Sequence, residues 1–278
     1  MKGLVLSITA GQGHNQTAMV ISKRFNECGV ECKYLDVYKF INPILSDSVN
    51  KIYLMSTKAI PKIYGGVYRM CEKRGVQSGA GIHGLNRITN SVLSRSLIKL
   101  IQKEKPDFII CTHIFAALLV TYISSIEHLN AKTIGVITDF TIHPYWEDSL
   151  LDYYIIANER LTIQGIKKGF PENKFLPLGI PIGTKFSRKI EKSKAKEILN
   201  LHSKHTILVM SGSMGFGAVY KEIEELDKLD MDFEIVSVSG NNKKLKTKID
   251  SMETRKKIYS YGYINNVDVF MDACDCII

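Results

Sequence analysis

The chain has 278 residues, 45% of them apolar, and a formal net charge of +9. This is length enough for two domains of ordinary soluble composition, and no apolar run approaches the roughly 18 residues that a bilayer-spanning helix needs. The N-terminus enters an apolar strand pattern at once, without the basic, apolar and cleavage-site order of a signal peptide. Cys28, Cys32, Cys71, Cys111, Cys274 and Cys276 fall mostly in apolar or strand-like runs. Neither C-x₃-C nor C-x-C is a zinc or dithiol spacing, so buried, reduced thiols of a cytoplasmic protein are expected.

The charge is concentrated. Residues 51–105 hold eleven basic residues against Glu72 and Glu104, a surplus equal to that of the whole chain. The cations, Lys62, Arg69, Lys73, Arg74 and Arg87 among them, alternate with Ile60, Ile63, Tyr64, Val67, Tyr68 and Met70 and with glycines. A loop and helix of this kind suits an anionic membrane surface, where each cation contributes about 1 kcal/mol. A solvated basic face is the alternative. No helix-turn-helix, RNP or zinc pattern points to nucleic acid.

In chain order, Leu4, Val5, Leu6 and Ile8 form a short strand, and Gly11, Gly13 and His14 lead into a helix with Ala18, Val20, Ile21 and Phe25 on one side. Strand, glycine turn and helix N-terminus make an anion or polar-ligand site, because the free N–H groups and about half a positive charge of helix dipole point into the turn. His14 at its mouth either reaches a ligand or caps its own helix. A dinucleotide fingerprint is the rival reading, with Asp36 ending the next strand (31–40), but Gln16 stands where the third glycine should be. Helices are expected over 44–60 and 90–103, the second stopped by Pro106. The strand 108–111 delivers Thr112 and His113, a helix spans 116–126, and a strand over 132–138 releases Asp139, His143 and Trp146. Strand 153–157, helix 159–168 and strand 174–178 follow, so that short strands and helices alternate as in a parallel sheet covered on both faces.

The lysine-rich, helical-looking stretch 184–204 reads as a linker between an N-terminal domain, 1–183, and a partial second one, 205–278. The second series runs strand 206–210, glycine turn 211–217, helix 219–229, strand 233–239, helix 243–252, strand 257–264, helix 267–273 and the start of a strand at 275–278. The turn Ser211, Gly212, Ser213, Met214, Gly215, Phe216, Gly217 is a nest able to hold a diphosphate, though without the G-K-[ST] of a P-loop. Gly240, Asn241 and Asn242 close the next strand in the same way. Ligands of doubly wound sheets bind beyond the carboxyl ends of the strands, where all these polar clusters lie. His14, His113, Asp139 and His143 match no zinc spacing, so no metal is expected. Asp230-Met231-Asp232 precedes a strand and reads as a surface turn.

SITAGQGHNQTA, PDFIICTHIFAA, GVITDFTIHPYWEDS, LGIPI, VMSGSMGFG, SVSGNN and ACDCII, in that order, resemble the diacylglycerol glycosyltransferases. That family comprises the monogalactosyldiacylglycerol synthases and the processive diacylglycerol β-glucosyltransferases. The resemblance implies an α/β GT-B fold, two Rossmann-like domains facing a cleft. It implies inverting, metal-independent hexosyl transfer from UDP-glucose or UDP-galactose to diacylglycerol on the inner face of the cell membrane, with the UDP-sugar as co-substrate and no cofactor. His14 then falls on the general base, with Asp139 as its catalytic companion. Gly13, the 211–217 turn, Gly240 to Asn242, Tyr263 and Ile264 fall on the donor side. Thr112, His113, His143 and Trp146 fall on the acceptor side of the cleft, and the basic segment on the membrane-docking region. Family members continue past the position of Ile278, so the resemblance also implies a C-terminally truncated form with impaired donor binding. A transferase acting on a polyprenyl-linked acceptor and a non-catalytic UDP-sugar- or lipid-binding protein are the alternatives.

Overall fold

A computed structural model describes residues 1–9, 13–41, 94–202, 205–212 and 218–278. The expected helix over 44–60, the cations Lys62, Arg69, Lys73, Arg74 and Arg87, and the turn residues Ser213 to Gly217 lie outside the described residues. The chain divides into two compact units, Met1–Ile182 and Gly183–Ile278.

The first unit is a six-stranded, all-parallel sheet in the order β2-β1-β3-β4-β5-β6. Its elements are β1 (Lys2–Ser7), α1 (Gly13–Glu27), β2 (Glu31–Asp36), α2 (Val37–Ile41), a helix α3 over 94–104, β3 (Phe108–Cys111), α4 (Ile114–Ile126), β4 (Lys132–Val136), β5 (Tyr153–Ile155), α5 (Arg160–Lys167) and β6 (Phe175–Leu176). β1 is buried almost throughout, as a central parallel strand must be, which is why its sequence is a continuous apolar run and not an alternation. Its two faces feed different cores. Leu4 and Leu6 join Ile109, Leu97, Leu119 and Leu161 on one side, and Val5 joins Ala18, Ile21, Ile110 and Val136 under α1 on the other. Each of the valine, leucine and isoleucine side chains, fully buried, contributes about 1.5–3 kcal/mol.

The chain leaves β1 toward β2 on one side and returns to β3 on the other, so the C-terminal ends of β1 and β3 flank a topological switch point. The strands are shorter than their sequence patterns. Ile137 and Thr138 run past the end of β4, with only Ile137 N still bonded to the Ile155 carbonyl, and this frees Thr138 and Asp139 from the ladder.

The second unit is a parallel sheet in the order β10-β7-β8-β9. It is built from α6 (Lys192–Ile198), β7 (Thr206–Met210), α7 (Val219–Asp227), β8 (Glu234–Val238), α8 (Lys243–Asp250), β9 (Ile258–Tyr261), α9 (Val267–Ala273) and β10 (Cys276–Ile277). The stretch 184–204, expected as a linker, carries α6. Ala195, Leu199 and Leu201 are buried with Leu208, Val236, Phe270 and Ala273 in this unit's core, and Ile190 N donates to Asp272 Oδ2 at 2.8 Å. Buried Ala195 within this short helix and the two leucines just after it outweigh its lysines. Among the described residues the thiols are also a mixed set: Cys32, Cys111 and Cys274 are buried as expected, whereas Cys28 and Cys276 are exposed.

Tight packing of α5 on β6 depends on one glycine. A Cβ on Gly165 would stand 2.2 Å from the Phe175 ring, and that ring is held by Phe170 and Tyr154 at centroid separations of 5.5 and 6.0 Å. Gly165→Val is expected to destabilise the protein by about 1–3 kcal/mol through overpacking, with part of the loss recovered by adding Phe175→Leu. Urea midpoints of the three chains measure this, and an unchanged midpoint for Gly165→Val would contradict the packing.

Candidate functional site

Of the sequence-predicted residues of the first unit, Gly13, His14, Thr112, His113, Asp139 and His143 gather at the switch point. α1 starts at Gly13 with no acidic residue in its first turn, so no side chain of that turn offsets the positive end of its dipole. His14, in that first turn, is half-buried and has its ring fixed from two strands. Its Nδ1 lies 2.8 Å from the Thr112 carbonyl oxygen, at the end of β3, and 2.9 Å from Thr138 Oγ1, just past β4. A backbone carbonyl can only accept, so Nδ1 carries the proton and the lone pair of the neutral ring is on Nε2. Thr112 is wholly buried. Its Oγ1 donates to the His14 carbonyl at 3.0 Å, so it grips His14 from both its side chain and its backbone.

His113 packs edge-on against His14, with ring centroids 4.6 Å apart. It caps α4: its Nδ1 accepts from Phe115 N at 3.2 Å. Burial, reinforced by repulsion from His14 and His143, pulls its imidazolium down to about 3, so the ring beside His14 is neutral at ordinary pH. His143 repeats the device at the 3₁₀ turn Pro144–Asp148, where its Nδ1 accepts from Tyr145 N at 3.2 Å. Burial lowers its titration too, opposed in part by the negative charge of Asp139. Asp139 itself is exposed, one residue beyond the Thr138 that holds His14.

Two acceptor-side assignments are corrected. Trp146 is 3% exposed and belongs to the hydrophobic core, edge-on to Tyr154 at 6.2 Å, where Gly135 leaves room for it. Thr112, at 0% exposure, positions His14 and offers no surface to a ligand. Asp36, where a ribose-binding acid would sit, is engaged within the fold. It accepts from Thr9 Oγ1 and from Lys39 N, and Asn15 Nδ2 donates to Thr9 Oγ1 at 2.7 Å. Sequence reasoning passed over Thr138. Its signal was its place, directly before Asp139 at a strand end.

In the second unit, Met210 pairs with Val238 and Val238 with Tyr261, so Ser211, Ser239 and Gly262 stand in one row at the C-terminal edge. Gly240, at φ +55°, turns the chain there, and Asn242 Oδ1 caps α8 by accepting from Leu245 N at 3.0 Å. The carbonyl of Gly240 lies 3.7 Å from where a Cβ of Gly262 would be. Ser211, Gly212, Gly240, Asn241, Asn242, Tyr263 and Ile264 therefore line one sheet edge, with Tyr263 55% exposed and Ile264 packed toward the core. Among the described residues no group of three His, Cys, Asp or Glu side chains is placed to hold a metal ion. No described helix is long and apolar enough to cross a membrane.

The neutral His113 links the site to stability. The unfolded chain binds a proton near pH 6.5 and the folded chain only near 3, so stability falls as pH drops through that window, by up to about 1.4 kcal/mol per pH unit. Asp152 and Asp275, held low partly by their hydrogen bonds from Thr133 and Thr206, act only below the ordinary carboxylate range. His113→Asn keeps an N-cap acceptor but removes the titration. Its urea-determined stability is expected to fall less steeply than wild type between pH 6.5 and 4.5, with His143 supplying the residual slope. An unchanged slope would show that His113 is not held neutral.

The family model for monogalactosyldiacylglycerol (MGDG) synthase matches residues 14–182. A processive diacylglycerol β-glucosyltransferase of Bacillus pumilus is 27% identical over 289 residues, an alignment covering all of this chain and 71% of the relative. Its Bacillus cereus counterpart is 25% identical over 284 residues and is covered to 70%. Among solved structures, the UDP complex of Anabaena HepE superposes with a TM-score of 0.60 at 12% identity, covering 100% of this chain and 73% of that one. MurG of Acinetobacter baumannii superposes at 0.58 and 14%, with the same coverage. UDP-GlcNAc 2-epimerase of Neisseria meningitidis shares the architecture at 0.53, so the architecture alone does not select a reaction. With its two Rossmann-like units the chain takes the GT-B fold, and it belongs to the monogalactosyldiacylglycerol synthase family.

Proposed function

We propose that the protein transfers a hexosyl group from a UDP-sugar to the free hydroxyl of diacylglycerol, with inversion at the anomeric carbon. The observation that carries this reading is the fixed tautomer of His14. With Nδ1–H tied to the Thr112 carbonyl, Nε2 is the ring atom able to accept a proton. In the proposed step the acceptor hydroxyl gives its proton to Nε2 while its oxygen bonds to the anomeric carbon. The bond from that carbon to the diphosphate oxygen breaks, and UDP leaves with the electron pair. A single displacement inverts the configuration.

The surroundings favour such a base. The imidazolium formed on His14 keeps its Nδ1–H bond to a carbonyl dipole, and the ring 4.6 Å away is the neutral His113, which adds no opposing charge. Thr138 Oγ1 is a second acceptor for Nδ1–H and restrains the ring from β4. Asp139 and His143, exposed and half-buried beside it, are proposed to meet the acceptor. On the second unit the edge formed by Ser211, Gly212, Gly240 to Asn242, Tyr263 and Ile264 is proposed to take the UDP-sugar, its backbone N–H groups facing the diphosphate and its Tyr263–Ile264 segment the base. In this reading the protein works at the inner face of the cell membrane, where its lipid acceptor would lie. Its similarity to diacylglycerol β-glucosyltransferases supports the choice of diacylglycerol.

Transfer of radiolabelled glucose or galactose from the UDP-sugar to dioleoylglycerol in mixed vesicles tests the reading. His14→Ala is expected to lower kcat by about 10²–10⁴ with little change in UDP affinity. Thr138→Val is expected to lose about tenfold through a less constrained ring. Full activity in His14→Ala, or transfer to a polyprenyl-linked sugar but not to diacylglycerol, would overturn it.

A further inference from the structure

The first turn of α8 is built against its own dipole. The helix opens Lys243, Lys244, Leu245, Lys246 with no acidic residue in that turn, although cations are disfavoured at a helix N-terminus. Two of its lysines are engaged within the unit: Lys246 pairs with Asp250 at 2.7 Å, and Lys248 Nζ lies 3.5 Å from the centroid of the Tyr220 ring on α7. Lys243 and Lys244 are exposed and paired with no acid among the described residues. The acids at the neighbouring helix starts face elsewhere or are taken. Tyr220 faces α8, so Glu222, about 200° further round α7, faces away. Glu224 is a turn further along and bonded to the Tyr220 side chain. Asp268 opens α9, which packs on the other face of the sheet, and pairs with Lys185 at 3.4 Å.

Beside this turn the strand ends carry hydroxyls without partners. Ile207, Val209 and Ile235 pack under α7 and α8, and residues two apart on a strand share a face, so Ser211 and Ser239 point to the side of those helices. Ser239 is wholly buried, and neither its Oγ nor that of the half-buried Ser211 has a hydrogen-bond partner. Asn242 N donates to the Ser239 carbonyl at 3.1 Å, which brings the start of α8 back to the end of β8. Ser237, two residues deeper on the same face, is unpartnered too but lies inside the core.

We propose that Lys243, Lys244 and the Ser239 hydroxyl hold the diphosphate of the nucleotide sugar. A diphosphate answers both anomalies at once. Its negative charge offsets two lysines placed at the positive end of a helix dipole, and its oxygens accept from a buried hydroxyl that is otherwise left unpaired at a cost to the fold. Lysine suits the place, because its flexible stem lets a compact charge follow a moving phosphate. The diphosphate gains negative charge as its bond to the sugar breaks, so the same groups hold the departing UDP more strongly than the bound donor. The inference rests on the proposed function for the identity of the ligand, and deepens it by naming the side chains that carry the phosphate charge.

Titration calorimetry of UDP into the full chain at low salt is the test, with no sugar transfer measured. Lys243→Gln with Lys244→Gln is expected to weaken UDP binding about tenfold. Lys246→Gln with Lys248→Gln removes the same charge farther along the helix and is expected to change it by less than about twofold. Ser239→Ala is expected to weaken UDP about fivefold while its urea midpoint in the absence of UDP stays at or above that of wild type, because an unpaired hydroxyl has been removed. Ser237→Ala is expected to leave UDP affinity unchanged. Equal losses in the two lysine pairs, unchanged affinity in Lys243→Gln with Lys244→Gln or in Ser239→Ala, a lower urea midpoint for Ser239→Ala, or no UDP binding by the wild-type chain would each overturn the proposal. A chain that binds UDP through these groups and yet transfers no sugar to diacylglycerol would overturn the proposed function alone.

Discussion

One hydrogen bond sets the chemistry of the first unit, the 2.8 Å contact between His14 Nδ1 and the carbonyl oxygen of Thr112. It exists because the chain reverses direction across its own sheet. β1 hands the chain to α1 on one side of the switch point, and β3 ends on the other side, so the first turn of α1 and the last carbonyls of β3 share one crevice. A histidine in that first turn is met by an acceptor it cannot refuse, and its proton is thereby assigned. Thr112 and Thr138 need no exposure for this. Their value lies in being buried or half-buried at strand ends, where backbone position is fixed by the ladder.

Electrostatics around this bond follow from burial. Three histidines and one carboxylate converge, yet only His14 keeps the hydrogen-bonding arrangement of a base. His113 and His143 spend their Nδ1 lone pairs as helix caps, and burial disfavours their charged forms. A cluster that looks like a metal set by composition is thus divided into one ring oriented by an acceptor and two rings used as acceptors. The second unit uses the same logic with backbone in place of imidazole: a turn at Gly240, a capped α8, and serines and glycines in a row at one edge.

Much of this was legible in the residues. The continuous apolar runs of β1 and β3 announce buried parallel strands, and the polar residues that follow them mark the carboxyl edge of the sheet before any coordinates. That Gly13-His14, Thr112-His113 and Asp139 follow strand ends was readable on position alone. Trp146 was not, because an aromatic residue in a polar stretch gives no sign of which way its ring turns. It fills the space over Gly135. The lysine-rich α6 misled for a related reason: charge dominates its composition, whereas Ala195, Leu199 and Leu201 decide its packing. The capping roles of His113 and His143 depend on backbone dihedrals that a sequence does not print.

The most direct test of the account is the tautomer of His14, read by long-range ¹⁵N–¹³C correlation NMR on the intact chain with His14→Gln for assignment. The account predicts that the neutral ring carries its proton on Nδ1 and leaves Nε2 unprotonated. A ring protonated on Nε2 would leave that nitrogen without a lone pair, and would contradict the proposed role of His14 as the base.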